Sequence, residues 1–140
     1  MERRFRFRVT GRALIVLALW LLVLPLRWVT GVLTAAAVHE LGHLSALWLW
    51  EVPVLGLEAD WSGATILTGP MEPREELYCA LAGPLAGILV CLFWRHFPEG
   101  AVCAGVQTLF NLLPLYPMDG GRALAAWRNI CCKPGQKGVQ

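Results

Sequence analysis

The sequence predicts an all-α polytopic membrane protein with about four transmembrane helices, one of them broken, and a small β-hairpin between helices 2 and 3. Two observations carry that prediction. Hydrophobic residues make up 56% of the 140 and charged residues only 16%, against about 25% charged in a soluble domain. The apolar residues also gather into four long runs. A chain this short has much surface for its volume, more than its few polar residues could cover in water. Its length suits a single domain, residues 1–140.

The first run, Ala13–Leu26, spans about 21 Å as helix, short of the roughly 30 Å hydrocarbon core. Snorkelling of Arg12 and Arg27 and a locally thinned bilayer would accommodate it. The basic stretch before it resembles the start of a signal peptide. However, Pro25, Leu26, Arg27 and Trp28 follow without a small-residue cleavage site, so an uncleaved first helix is expected. Trp28–Trp50 is long enough to span and contains His39, Glu40 and His43. Leu77–Trp94 is free of charge. The fourth run begins near Gly100 and reaches Leu113, where Pro114 and Pro117 stop a regular helix.

Between the second and third runs lies the polar stretch Glu51–Glu76. Val54–Leu57 and Ala64–Leu67 flank turn-forming Asp60, Ser62 and Gly63 there, which reads as the hairpin. Residues 1–12 read as a basic cytoplasmic N-terminus. Arg122–Arg128 reads as a short interfacial helix, and residues 129–140 as a disordered tail.

Basic residues orient the chain. If all four runs cross, one side holds the arginines before the first run, Arg74, and then Arg122, Arg128, Lys133 and Lys137. The other side holds Arg27 and Arg95. The crowded side is the cytoplasmic one, so both termini are expected there, in a multi-pass protein of the cell membrane. The five cysteines make a poor disulfide framework, being odd in number and largely in apolar stretches, and no CxxC spacing offers a thiolate zinc site. They read as small hydrophobes in packed helices.

The chemistry centres on His39-Glu40-Leu41-Gly42-His43, an HExxH motif within an apolar helix. Residues four apart share a helical face, so both imidazoles can point at one metal ion. Glu40, one position round, can hold a water without being a ligand. That arrangement suits hydrolysis at Zn2+, with the carboxylate as proton acceptor. Ionisable groups inside a membrane span cost from about 2.5 kcal/mol upward and are functional hypotheses by default. The bland reading is a packing cluster of hydrogen bonds among His39, Glu40 and His43.

Zinc needs a third protein ligand and an open position. Of the three histidines, His96 lies beside Arg95 at the end of the third run and reads as interfacial. Asp119 is the best-placed carboxylate, although an aspartate that ends an apolar run before Gly120 and Gly121 also reads as a cap or turn. Depth favours the metal reading. His43 lies about 12 Å of helix from Glu51, and the fourth run delivers Asp119 towards that same side. Helix-breaking prolines and glycines are tolerated at that depth where backbone lines a cavity.

Three blocks in order, His39–His43, Ala82-Gly83-Pro84-Leu85-Ala86-Gly87 and Asn111–Gly121 followed by Arg122, make the chain resemble the site-2 protease family of intramembrane metalloproteases (peptidase M50), in particular the compact bacterial branch of the sporulation stage IV membrane protease. The blocks cover about Leu33 to Leu124. The resemblance implies His39, His43 and Asp119 as zinc ligands, Glu40 as general base and Asn111 as a residue positioning substrate or oxyanion. It also implies that the hairpin offers an edge to an extended substrate. The chain departs from many relatives in ending soon after Arg122, in having no room for a PDZ domain, and in lacking the asparagine that often follows the second block.

The function expected is therefore a zinc metalloendopeptidase that cuts membrane-spanning or membrane-tethered regulatory proteins. Its partners would be the lipid bilayer, a membrane-protein substrate and a regulatory membrane protein standing in for the missing domains; no nucleic acid is expected. The alternative is a non-catalytic metal-binding scaffold or sensor, which would need neither Glu40 nor Asn111. A di-iron desaturase needs many more histidines, and a soluble HExxH peptidase conflicts with the flanking apolar runs.

Overall fold

Arginine alternates with apolar residues along Phe5-Arg6-Phe7-Arg8-Val9, a strand pattern. In the computed structural model, which describes residues 5–60 and 63–132, Arg6–Val9 is indeed a strand, β1. It pairs in parallel with β2 (Val54–Asp60), which pairs antiparallel with β3 (Gly63–Thr68), giving the order β1-β2-β3. Parallel neighbours need a crossover connection, and two helices supply it. β1 and β2 cross closely at Gly56, where a methyl group would strike the Arg6 carbonyl.

The first helix, α1 (Gly11–Val23), begins at Thr10. The Thr10 hydroxyl accepts from the Ala13 N–H at 3.3 Å and donates to Asp60 Oδ1 at 2.7 Å, while Arg12 pairs with Asp60 Oδ2 at 3.0 Å. The end of β2 thus anchors the start of α1. Pro25 ends that direction, and α2 (Leu26–Leu49) returns. It closes at Glu51, whose φ of 54° is left-handed. The Val52 N–H donates to the Leu47 carbonyl at 2.9 Å and the Glu51 N–H to that of Trp48 at 3.2 Å, the bonding of a Schellman cap.

Helix α3 (Pro73–Cys91) opens with proline in its first turn and with a capping box between Glu72 and Glu75, in which the Glu75 side chain accepts from the Glu72 N–H at 2.8 Å. α4 (Pro98–Asn111) and α5 (Asp119–Cys132) follow. α3 lies against α2, α4 and α5, and α2 also lies against α4.

Small residues bring the helices together. The buried stripe of α2 includes Gly31, Ala35, His39, His43 and Leu47, each four residues after the last. Gly42 meets α3 at the Ala82 carbonyl and Ala86, and Gly31 meets the α4 backbone at Glu99 and Gly100. Large apolar side chains such as Leu33, Leu41, Trp48 and Leu49 face outward from α2, and α1 buries no residue. Among the described residues, a conventional hydrophobic cluster forms where α2 ends: Leu47, Val52 and Cys79, packed with Val54, Ile66 and Met71.

Several expectations change. The basic N-terminus is in part a strand, so the chain is mostly helical with a three-stranded sheet rather than all-α; β1 adds to a hairpin that is itself longer than expected. Among the described residues there are five helices, and α2 is the one whose length and composition suffice to cross a membrane. α1 has 13 residues and α4 has 14, while α3, with 19, carries Arg74, Glu75 and Glu76 in its first turn. The last helix starts at Asp119, and residues 129–132, expected in the tail, continue it. The rest of that tail, Arg3, Arg4 and the turn residue Ser62 lie outside the described residues.

Candidate metal centre

His39 and His43 occupy successive turns of the buried stripe of α2, and both rings lie inside the bundle, 3% and 6% exposed. Asp119, at the start of α5, is 7% exposed and turns one carboxylate oxygen towards them. Asp119 Oδ2 lies 3.0 Å from His39 Nε2 and 3.3 Å from His43 Nε2, and the two Nε2 atoms are 3.1 Å apart. The loop between α4 and α5 makes this approach possible. Gly120 and Gly121 pack against its backbone, where added methyl groups would strike the Leu112 carbonyl and approach Leu115 and Tyr116 to 2.5–2.7 Å.

The donor set fits a zinc ion. His43 Nδ1 donates to the Cys79 carbonyl at 2.7 Å, which in the neutral ring fixes the tautomer and leaves a lone pair on Nε2. A carboxylate oxygen and two imidazole nitrogens then face one another in a buried space. Such convergence of acceptors is unfavourable without a proton or cation between them. A tetrahedron with bonds of about 2.0–2.1 Å has edges of about 3.3 Å, close to the separations observed. Gly83 of α3 keeps the space open, because a methyl group there would fall on His43 Nε2 and 2.9 Å from His39 Nε2. His39, His43 and Asp119 could therefore hold a metal.

The other predicted residues divide. The Asn111 side-chain nitrogen lies 3.1 Å from His39 Nε2, so the end of α4 joins the cluster. Glu40 is half-buried on α2, directly after His39. His96 is exposed in the turn after α3, away from the cluster. Three contributors have no role assigned from the sequence. One is the Cys79 carbonyl, a backbone group that no residue type betrays. The other two are Arg122 and Glu76. Arg122 Nε donates to Glu76 Oε1 at 2.8 Å, and its Nη1 lies 3.6 Å from Asp119 Oδ1.

No family model matches the chain, and no curated protein matches it. Among solved structures it is similar to the site-2 protease from Methanocaldococcus jannaschii, with a TM-score of 0.59 and 21% identity. The match covers 84% of this chain and 62% of that one, so the chain spans about three-fifths of the length of that protease. The fold is therefore that of a site-2 protease structure, and the three converging side chains lie within it.

Proposed function

We propose that the chain is an intramembrane zinc endopeptidase of the site-2 protease type. The observation that carries this reading is an inverted interior: two histidines and an aspartate converge at its centre, small residues line the helix contacts, and large apolar side chains face out. Lipid suits such a surface, and small interfacial residues are how helices pack within it. Buried ionisable groups in that setting mark function.

His39, His43 and Asp119 would hold the metal. Zinc bound there would lower the pKa of water to about 7 and polarise a carbonyl. Glu40 takes the proton from the attacking water and passes it to the leaving amine. Asn111, beside His39, orients the scissile carbonyl. The outer edge of β3 is unpaired in the strand order among the described residues, so an extended substrate segment can add there as a strand. A substrate helix must unwind first, since its amides are otherwise hydrogen-bonded. The substrate class is a single-pass membrane protein or a membrane-tethered regulator, cut near the cytoplasmic face.

Metal content of the detergent-purified protein tests the site, and cleavage of a membrane-tethered substrate tests the chemistry. We expect about one zinc per chain, lost in His43→Ala and in Asp119→Ala. Glu40→Gln should keep the zinc and lose at least about 100-fold in cleavage rate. Zinc unaffected by Asp119→Ala would break the site. Full activity in Glu40→Gln would remove the proton-transfer role and favour a metal-binding scaffold.

A further inference from the structure

We propose that Arg122 is a positioning residue for the metal centre: tied to α3 through Glu76, it engages one oxygen of Asp119 and leaves the other facing His39 and His43. This inference rests on reading that trio as a zinc site. The carboxylate is divided between two surroundings. Oδ2 faces the imidazoles at 3.0 and 3.3 Å, and Oδ1 faces Arg122 Nη1 at 3.6 Å. Arg122 follows Asp119 by three positions, so both lie on one face of α5. Its Nε is meanwhile engaged by Glu76 Oε1 at 2.8 Å. A planar guanidinium held at one edge presents its other nitrogens in a set direction.

Without such a brace, an aspartate in the first turn of a helix has competing partners. Its oxygens can turn to the unsatisfied backbone N–H groups of that turn. Glu76 answers a second requirement. A lone guanidinium beside a dication would weaken metal binding by repulsion across a medium of low dielectric. The carboxylate of Glu76 cancels that charge, so the pair supplies orientation without net charge. Second-sphere groups of this kind set the direction of metal ligands, and their loss lowers metal affinity about 10–100-fold.

The test is zinc affinity by chelator competition on the full chain in detergent, with the visible spectrum of the cobalt-substituted protein as a second readout. Arg122→Gln should bind zinc about 10–100-fold more weakly and shift the cobalt bands, because the carboxylate swings. Glu76→Gln should weaken binding less, and the double variant should match Arg122→Gln within about twofold, since Glu76 acts through Arg122. Arg122→Lys keeps the charge and the tie to α3 but lacks the fork; it should lose about 10-fold and decides the matter if Arg122→Gln does not fold.

Wild-type zinc affinity with an unshifted cobalt spectrum in these variants would overturn the proposal, even if the unfolding midpoint of the metal-free protein fell, because Arg122 would then only fasten α5 to α3. Wild-type protein that binds zinc no better than Asp119→Ala would fail differently. That result removes the metal site itself, and this inference with it.

Discussion

At the scale of single residues, the centre depends on a side chain that is missing. Two histidines four apart converge on any helix, but a neighbouring helix packed this tightly would ordinarily fill the space between them. Gly83 leaves it open, and its buried neighbour Pro84 lies in the same turn of α3. Gly83→Ala should therefore abolish zinc binding at concentrations that saturate the wild type. Gly105→Ala, whose new methyl group would meet only Cys91 Sγ at 3.6 Å, should retain it. Equal zinc content in the two variants, measured on folded protein, would show that Gly83 serves general helix contact instead.

At the scale of elements, helix ends decide where the site lies. α2 carries both histidines and stops at Glu51, which occupies the left-handed position usually given to glycine. A side chain there costs roughly 1–2 kcal/mol, partly offset by the greater chain entropy of an unfolded glycine. Glu51→Gly should stabilise the protein by about 1 kcal/mol, seen as a higher unfolding midpoint in detergent. A lower midpoint would mean that the Glu51 side chain makes a compensating contact. At the opposite end of the site, α5 begins at Asp119 because Gly120 and Gly121 let its first turn rest on the preceding loop. The paired glycines matter here for close approach.

At the scale of the whole molecule, the pairing of β1 with β2 puts the N-terminal segment and the central loop on one face. The contact between Arg122 and Glu76 places the start of α5 there too. Arg27 and Glu99, paired at 3.4 Å, join the opposite turns. We propose that the sheet face lies in the cytoplasm, the side to which the basic residues of the sequence assign it. Single cysteines in a background without the native ones give the check, using a membrane-impermeant maleimide on sealed vesicles of known orientation. Glu58→Cys, and Cys132 when it alone of the native cysteines is kept, should label from the cytoplasmic side, and His96→Cys from the other. Labelling of positions 58 and 96 from the same side would refute the arrangement.

Much of this was legible because its causes are local. Apolar runs mark where helices form, and the spacing of His39 and His43 sets them on one face of any helix that includes both. The alternation in Phe5–Val9 is equally local, but among so many arginines it reads as part of a basic cytoplasmic N-terminus. Its partner β2 lies beyond two intervening helices, and that pairing makes it a strand.

Spacing left Asp119 as either a cap or a group facing the histidines. Chain folding brings it within 3.0 Å of a residue 80 positions away. The Cys79 carbonyl, the space over Gly83 and the Glu76–Arg122 tie belong to the same class. Sequence patterns register which face of one helix is apolar, so the motifs and the order of helices follow from them. Contacts between helices depend on how closely two backbones approach, and that distance exists only once the bundle has packed.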